Sequence, residues 1–127
     1  MYSMGKSLSV DYDAAIARIC DALAKEGFGV LTEIDVQATL KKKLDVDFRK
    51  YVILGACNPQ LAHRGLEAEA DLGLLLPCNV IVYEEGPHRS RVAILDPVAQ
   101  LGITGRKDIE PVAREARARL ERALAAA

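Results

Sequence analysis

The chain has 127 residues, 50% of them hydrophobic and 28% charged, the balance of a folded globular domain rather than a disordered one. Its formal charge of -1 gives no single-sign field that would recruit nucleic acid or an anionic membrane, so neither is expected as a partner. The N-terminal "MYSMGKSLSV" lacks a secretory apolar core and the longest apolar cluster, "LGLLLPCNVIVY", is too short to span a bilayer. Three cysteines are an odd set for a disulfide scaffold, and a cytoplasmic chain is expected.

The segment Lys6 to Val10 alternates weakly and suggests a short first strand. Next, "DYDAAIARICDALAKEGFG" has the spacing of an amphipathic helix: Asp11 or Asp13 can cap it, Ile16, Ile19, Cys20 and Leu23 share a face, and Gly27 suits a left-handed stop. On that apolar stripe Cys20 reads as a small core hydrophobe. The β-branched, alternating run Phe28 to Asp35 predicts a strand, and "VQATLKKKLDVD" a short helix. Lys41 to Lys43 form a solvated face there, since no Gly-rich loop or aromatic accompanies them as a phosphate site would need.

"RKYVILGAC" is a further strand, followed by a helix from Pro59 to about Glu69 and an apolar loop, "DLGLLLP". In "CNVIVYEEGPHRSRVAILDP" two β-rich runs flank Gly86-Pro87, which predicts an antiparallel hairpin closed by Pro97. The last helix is expected over Asp108 to Ala125, with Ile109, Val112, Ala116, Leu120 and Ala123 on its apolar side and a Glu115–Arg119 pair one turn apart.

No repeat or linker divides residues 1–127, which predicts a single α+β domain with a mainly antiparallel sheet and helices packed on one face. Two strands are apolar on both faces. Tyr51, Ile53 and Cys57 alternate with Val52, Leu54 and Ala56, and Val80 and Val82 with Ile81 and Tyr83. Both sides of such strands need cover, so the second face is expected to be buried against another copy in a homodimer with twofold symmetry.

The candidate chemistry lies in "LGACNPQLAH" and its near echo "LLPCNV". Asn58 and Pro59 make a favourable cap and first helical position, which sets Cys57 just outside a helix N-terminus. The helix dipole there lowers a thiol pKa and favours a reactive thiolate, whereas burial in apolar surroundings raises it. His63 could join Cys57 as a catalytic pair only if the strand end curls over the helix. A zinc site from Cys57, Cys78 and His63 is chemically sensible, but no paired-ligand spacing marks it. Asn58 and Asn79 can equally satisfy backbone groups in turns. Glu33 and Asp35 share a strand face with Leu31, where a general acid or base competes with plain edge-strand exposure. No phosphate loop, nucleophile elbow or dinucleotide fingerprint is present.

"EGFGVLTEIDVQATLKKKLDVDFRKYVILGACNPQLAH", "LGLLLPCNVIVYE" and "ILDP" together strongly resemble the bacterial and archaeal domain of unknown function 302 family, over about Tyr12 to Leu124. The resemblance implies a compact α+β domain that forms a homodimer, and no established activity. Its motif positions fall on Glu33, Asp35, Cys57, Asn58, Pro59, Pro77, Cys78, Asn79, Asp96 and Pro97, while Cys20 inherits no role. Three functions compete: a homodimeric protein binding a small molecule, metal or sulfur species at Cys57, Asn58, Cys78, Asn79 and Glu33; a thiol enzyme or redox sensor with Cys57 as nucleophile and Cys78 as resolving partner; or cysteines that only pack. No particular cofactor is indicated.

Overall fold

Residues 1–127 are described by a computed structural model. Five strands, β1 (Ser3–Leu8), β2 (Gly29–Asp35), β3 (Tyr51–Cys57), β4 (Cys78–Gly86) and β5 (Arg89–Leu95), form one sheet in the order β1-β5-β4-β3-β2. Every neighbouring pair is antiparallel, so the fold is α+β with the sheet predicted from sequence. Five α-helices accompany it: α1 (Tyr12–Lys25), α2 (Val36–Leu44), α3 (Pro59–Ala68), α4 (Pro97–Leu101) and α5 (Glu110–Ala126).

Strand alternation decides what is buried. Val52, Leu54 and Ala56 of β3, Val80 and Val82 of β4, and Val92 and Ile94 of β5 point to one face and are almost wholly buried. Ile19 and Leu23 of α1 and Val112, Ala116, Leu120 and Ala123 of α5 cover them and complete the main core. Leu72, Leu101, Ile109 and Ala113 make a second, smaller cluster where a 3-10 turn (Ala70–Leu75), α4 and α5 meet.

The opposite face has no helix over its centre. Tyr51, Ile53, Ile81, Tyr83, Ala93 and Leu95 lie there half-buried, with the Tyr51 and Tyr83 rings stacked at 5.3 Å. The guanidinium of Arg49 sits 5.5 Å from the Tyr83 ring centre. Asn79, Arg91 and a Ser7–Glu85 hydrogen bond edge this apolar strip with polar groups.

Three boundaries differ from expectation. β1 begins at Ser3, not Lys6, because its backbone ladder to β5 runs from Ser3 opposite Leu95 to Leu8 opposite Ser90, whatever its weak side-chain alternation suggests. The "DLGLLLP" loop contains the 3-10 turn, and Pro97, expected only to end a strand, opens the short helix α4. Gly27 does take the left-handed conformation at φ +83°. Asp11 stands at the cap position of α1 without a capping hydrogen bond, its carboxylate lying 2.7 Å from Nδ1 of His88 instead.

Candidate functional site

β3 ends at Cys57, and the chain turns directly into α3. Asn58 sits between them, buried, with its side-chain oxygen accepting the Leu61 amide at 3.2 Å. This is the predicted cap, and Pro59 occupies the first turn, where its missing N–H costs nothing. The end of β5 repeats the device: Asp96 accepts the Val98 amide at 2.9 Å, Pro97 follows, and Arg117 Nη1 of α5 approaches the second carboxylate oxygen at 3.6 Å. Asn58 and Asp96 therefore each terminate a strand and start a helix at the same end of the sheet.

Beside the Cys57–Asn58 corner lies a cavity of about 30 Å³. Cys57, Asn58 and Cys78 line it together with Phe28, Leu61 and Ala116. Cys78 opens β4 directly opposite Ala56, the residue before Cys57, and both cysteines are among the residues that line the cavity. Both are free, as is Cys20. Larger hollows beside α2 and between α4 and α5 contain no cysteine.

Electrostatics at the site favour neutral thiols. Burial raises the Cys57 pKa above its ordinary value, and burial with the nearby Cys57 pushes Cys78 from 9.0 to about 11. At Cys57 the direction is the one that desolvation gives, upward and away from the thiolate.

The remaining predicted residues lie elsewhere. Asn79 pairs with Gly55 across the ladder and its side chain is on the uncovered sheet face. Glu33 lies on β2, which is exposed along its whole length, and its charge acts on Cys20 and Tyr12 of α1, the latter pushed up to about 12 chiefly by burial. Asp35 caps α2 by accepting the Ala38 amide at 2.9 Å. A bulge between Val30 and Thr32 takes Leu31 out of the face shared by Glu33 and Asp35. His63 is exposed, its Nε2 3.0 Å from Glu67 one turn further along α3, so it joins neither a Cys–His pair nor a zinc trio with the cysteines. No group of three or more His, Cys, Asp or Glu side chains is arranged to hold a metal ion. Sequence reasoning missed the far wall: Val112 and Ala116 come from α5 and Leu101 from α4, and only the tertiary fold brings them to the cysteines.

A five-stranded antiparallel sheet, helices over one face, and Asn-Pro and Asp-Pro corners at one end define a small α+β domain with a cavity lined by two cysteines. The profile of the domain of unknown function DUF302 matches residues 4–127, and the chain belongs to that family. The crystal structure of an uncharacterized conserved DUF302 protein from Bacillus stearothermophilus is similar to it, with a TM-score of 0.90 and 31% identity over 98% of this chain and 97% of that one. A comparison with curated proteins gives no match. No helix is long and apolar enough to cross a membrane.

Proposed function

We propose that the chain is a single-domain homodimeric binding protein whose ligand site is the cavity at Cys57 and Cys78. One observation carries this reading: two free cysteines on adjacent strands line a cavity in which nearly every other wall residue is apolar. Such a wall discriminates for small, soft or apolar ligands and against hydrated ions, which would lose their water without replacement donors. Asn58, already committed to capping α3, keeps one amide group as the polar member of the lining. Asn79 and Glu33 are outside this site.

The thiol-enzyme alternative is weaker because Cys57 has no base beside it and burial suppresses its thiolate. A purely packing role is the remaining rival. Amide chemical shifts of the reduced protein, titrated with hydrogen sulfide, methanethiol and dimethyl sulfide, separate the two. Saturable shifts at Ala56, Leu61 and Ala116 that vanish in Ala62→Leu, which fills the cavity rim, support binding. Shifts that never saturate, or that survive in Ala62→Leu, leave the packing role standing.

A further inference from the structure

We infer that β2, α2 and the loop leading to β3 form an arm that packs against a second copy of this chain. The inference rests on the homodimer reading and gives it a surface beyond the open sheet face. Nothing from residue 29 to residue 50 is buried, although the segment forms a complete strand and a complete helix. Val30, Leu31, Ile34, Leu44, Val46 and Phe48 are all exposed, Leu31 at 68% and Leu44 at 65%. They make up more than half of the large hydrophobic residues exposed anywhere in the chain. A helix of this length owes its stability to a packed apolar side, and here that side is turned outward, as at an interaction surface.

The arm continues the open face. Ile34 stands opposite Ile53, and Ile53 opposite Ile81, so one apolar row crosses β2, β3 and β4 on that side of the sheet. The Phe48 ring lies 6.2 Å from Tyr51 and extends the Tyr51–Tyr83 stack onto the loop. One contiguous surface calls for one occupant, and its size identifies a dimer interface. Tyr51, Ile53, Ile81, Tyr83, Ala93 and Leu95 are too few alone, since a stable interface takes roughly 20 to 30 residues a side. Adding residues 29–50 brings the surface into that range. Its charge fits the same occupant. The segment carries four acidic and five basic side chains, a mixture that suits neither a polyanion nor a strongly basic partner. A second copy meets it with an identical face and arm, as twofold symmetry requires.

The test is analytical ultracentrifugation of the full chain over a dilution series, with deuterium exchange of the same samples. The Leu44→Lys/Val46→Lys double variant alters two side chains that are exposed in the single chain, so its circular dichroism should match the wild type. Its dimer dissociation constant should rise by at least about tenfold, the effect of losing well-packed interface residues. In the unmodified chain the amides of residues 29–50 should exchange more slowly at high concentration than at low. A dissociation constant unchanged in the double variant, or exchange over 29–50 independent of concentration, would overturn the inference. The exchange measurement needs no variant and stands even if the double variant fails to fold. A dimer that Ile81→Asp dissociates while Leu44→Lys/Val46→Lys leaves it intact removes the arm alone. A chain that stays monomeric throughout the series removes the homodimer reading and the arm together.

Discussion

Cys78 couples the cavity to stability through its proton. In the folded chain the thiol holds its proton up to about pH 11, whereas the unfolded chain releases it near 9.0. Its contribution is therefore whole below pH 9 and is lost as pH rises through 11, because only the unfolded state ionises in that window. The stability advantage of the wild type over Cys78→Ala should shrink by about 2 to 3 kcal/mol across it, given roughly 1.4 kcal/mol per pKa unit. Urea denaturation of both proteins at several pH values measures this, and subtracting the variant cancels the tyrosines and lysines that titrate nearby. A gap independent of pH would mean that Cys78 is not held neutral. The same scale shows what was legible in the letters. Asn58-Pro59 announces a helix start because capping is a local affair of three residues. Asp96-Pro97 carries the same signal, yet α4 is five residues long, too short for any hydrophobic period to identify it as a helix.

Among the elements, the contact between β2, β3 and β4 is set by a missing side chain. A Cβ on Gly55 would lie 2.1 Å from Thr32 Oγ1 and 2.7 Å from Pro77 Cγ, so only glycine lets the edge strand and the start of β4 close on β3. Gly55→Ala should destabilise the fold by about 1 to 3 kcal/mol, the usual cost of overpacking. Adding Thr32→Ala should recover part of that loss but not all, since Pro77 remains in the way. Thermal or chemical denaturation of the two single variants and the double decides it; strict additivity would show that the Thr32 hydroxyl is not the obstacle. Strand and helix identities were legible from period and composition, including the hairpin around Gly86-Pro87. The β2 bulge was not, since it depends on pairing with β3, and neither was the union of Cys57 with α5 side chains distant in sequence.

For the whole molecule, the open sheet face sets the expected assembly. Its centre is Tyr51, Ile53, Ile81, Tyr83 and Leu95, and its edge is polar, the pattern of an interface with a dry middle. The letters of β3 and β4 already carry this two-faced apolarity, because strand alternation fixes which residues share a side. A second copy is the proposed cover, so light scattering at micromolar concentration should give twice 13.8 kDa. Ile81→Asp should reduce the mass to that of one chain while leaving the helix-covered core intact by circular dichroism. A wild-type mass of 13.8 kDa would refute the assembly outright.

The pairing of β1 with β5 has a consequence for how the sheet is assembled in time. β2, β3, β4 and β5 meet neighbours closer in the chain, but Ser3 meets Leu95 only after 95 of the 127 residues have been laid down. Closing so long a loop costs entropy before the ladder repays it, so β1 joins a sheet already formed and leaves it first. The backbone amides of Met4 to Leu8 should exchange with deuterium well ahead of those of Val80 and Val82, making the first strand of the chain the last strand of the sheet to set.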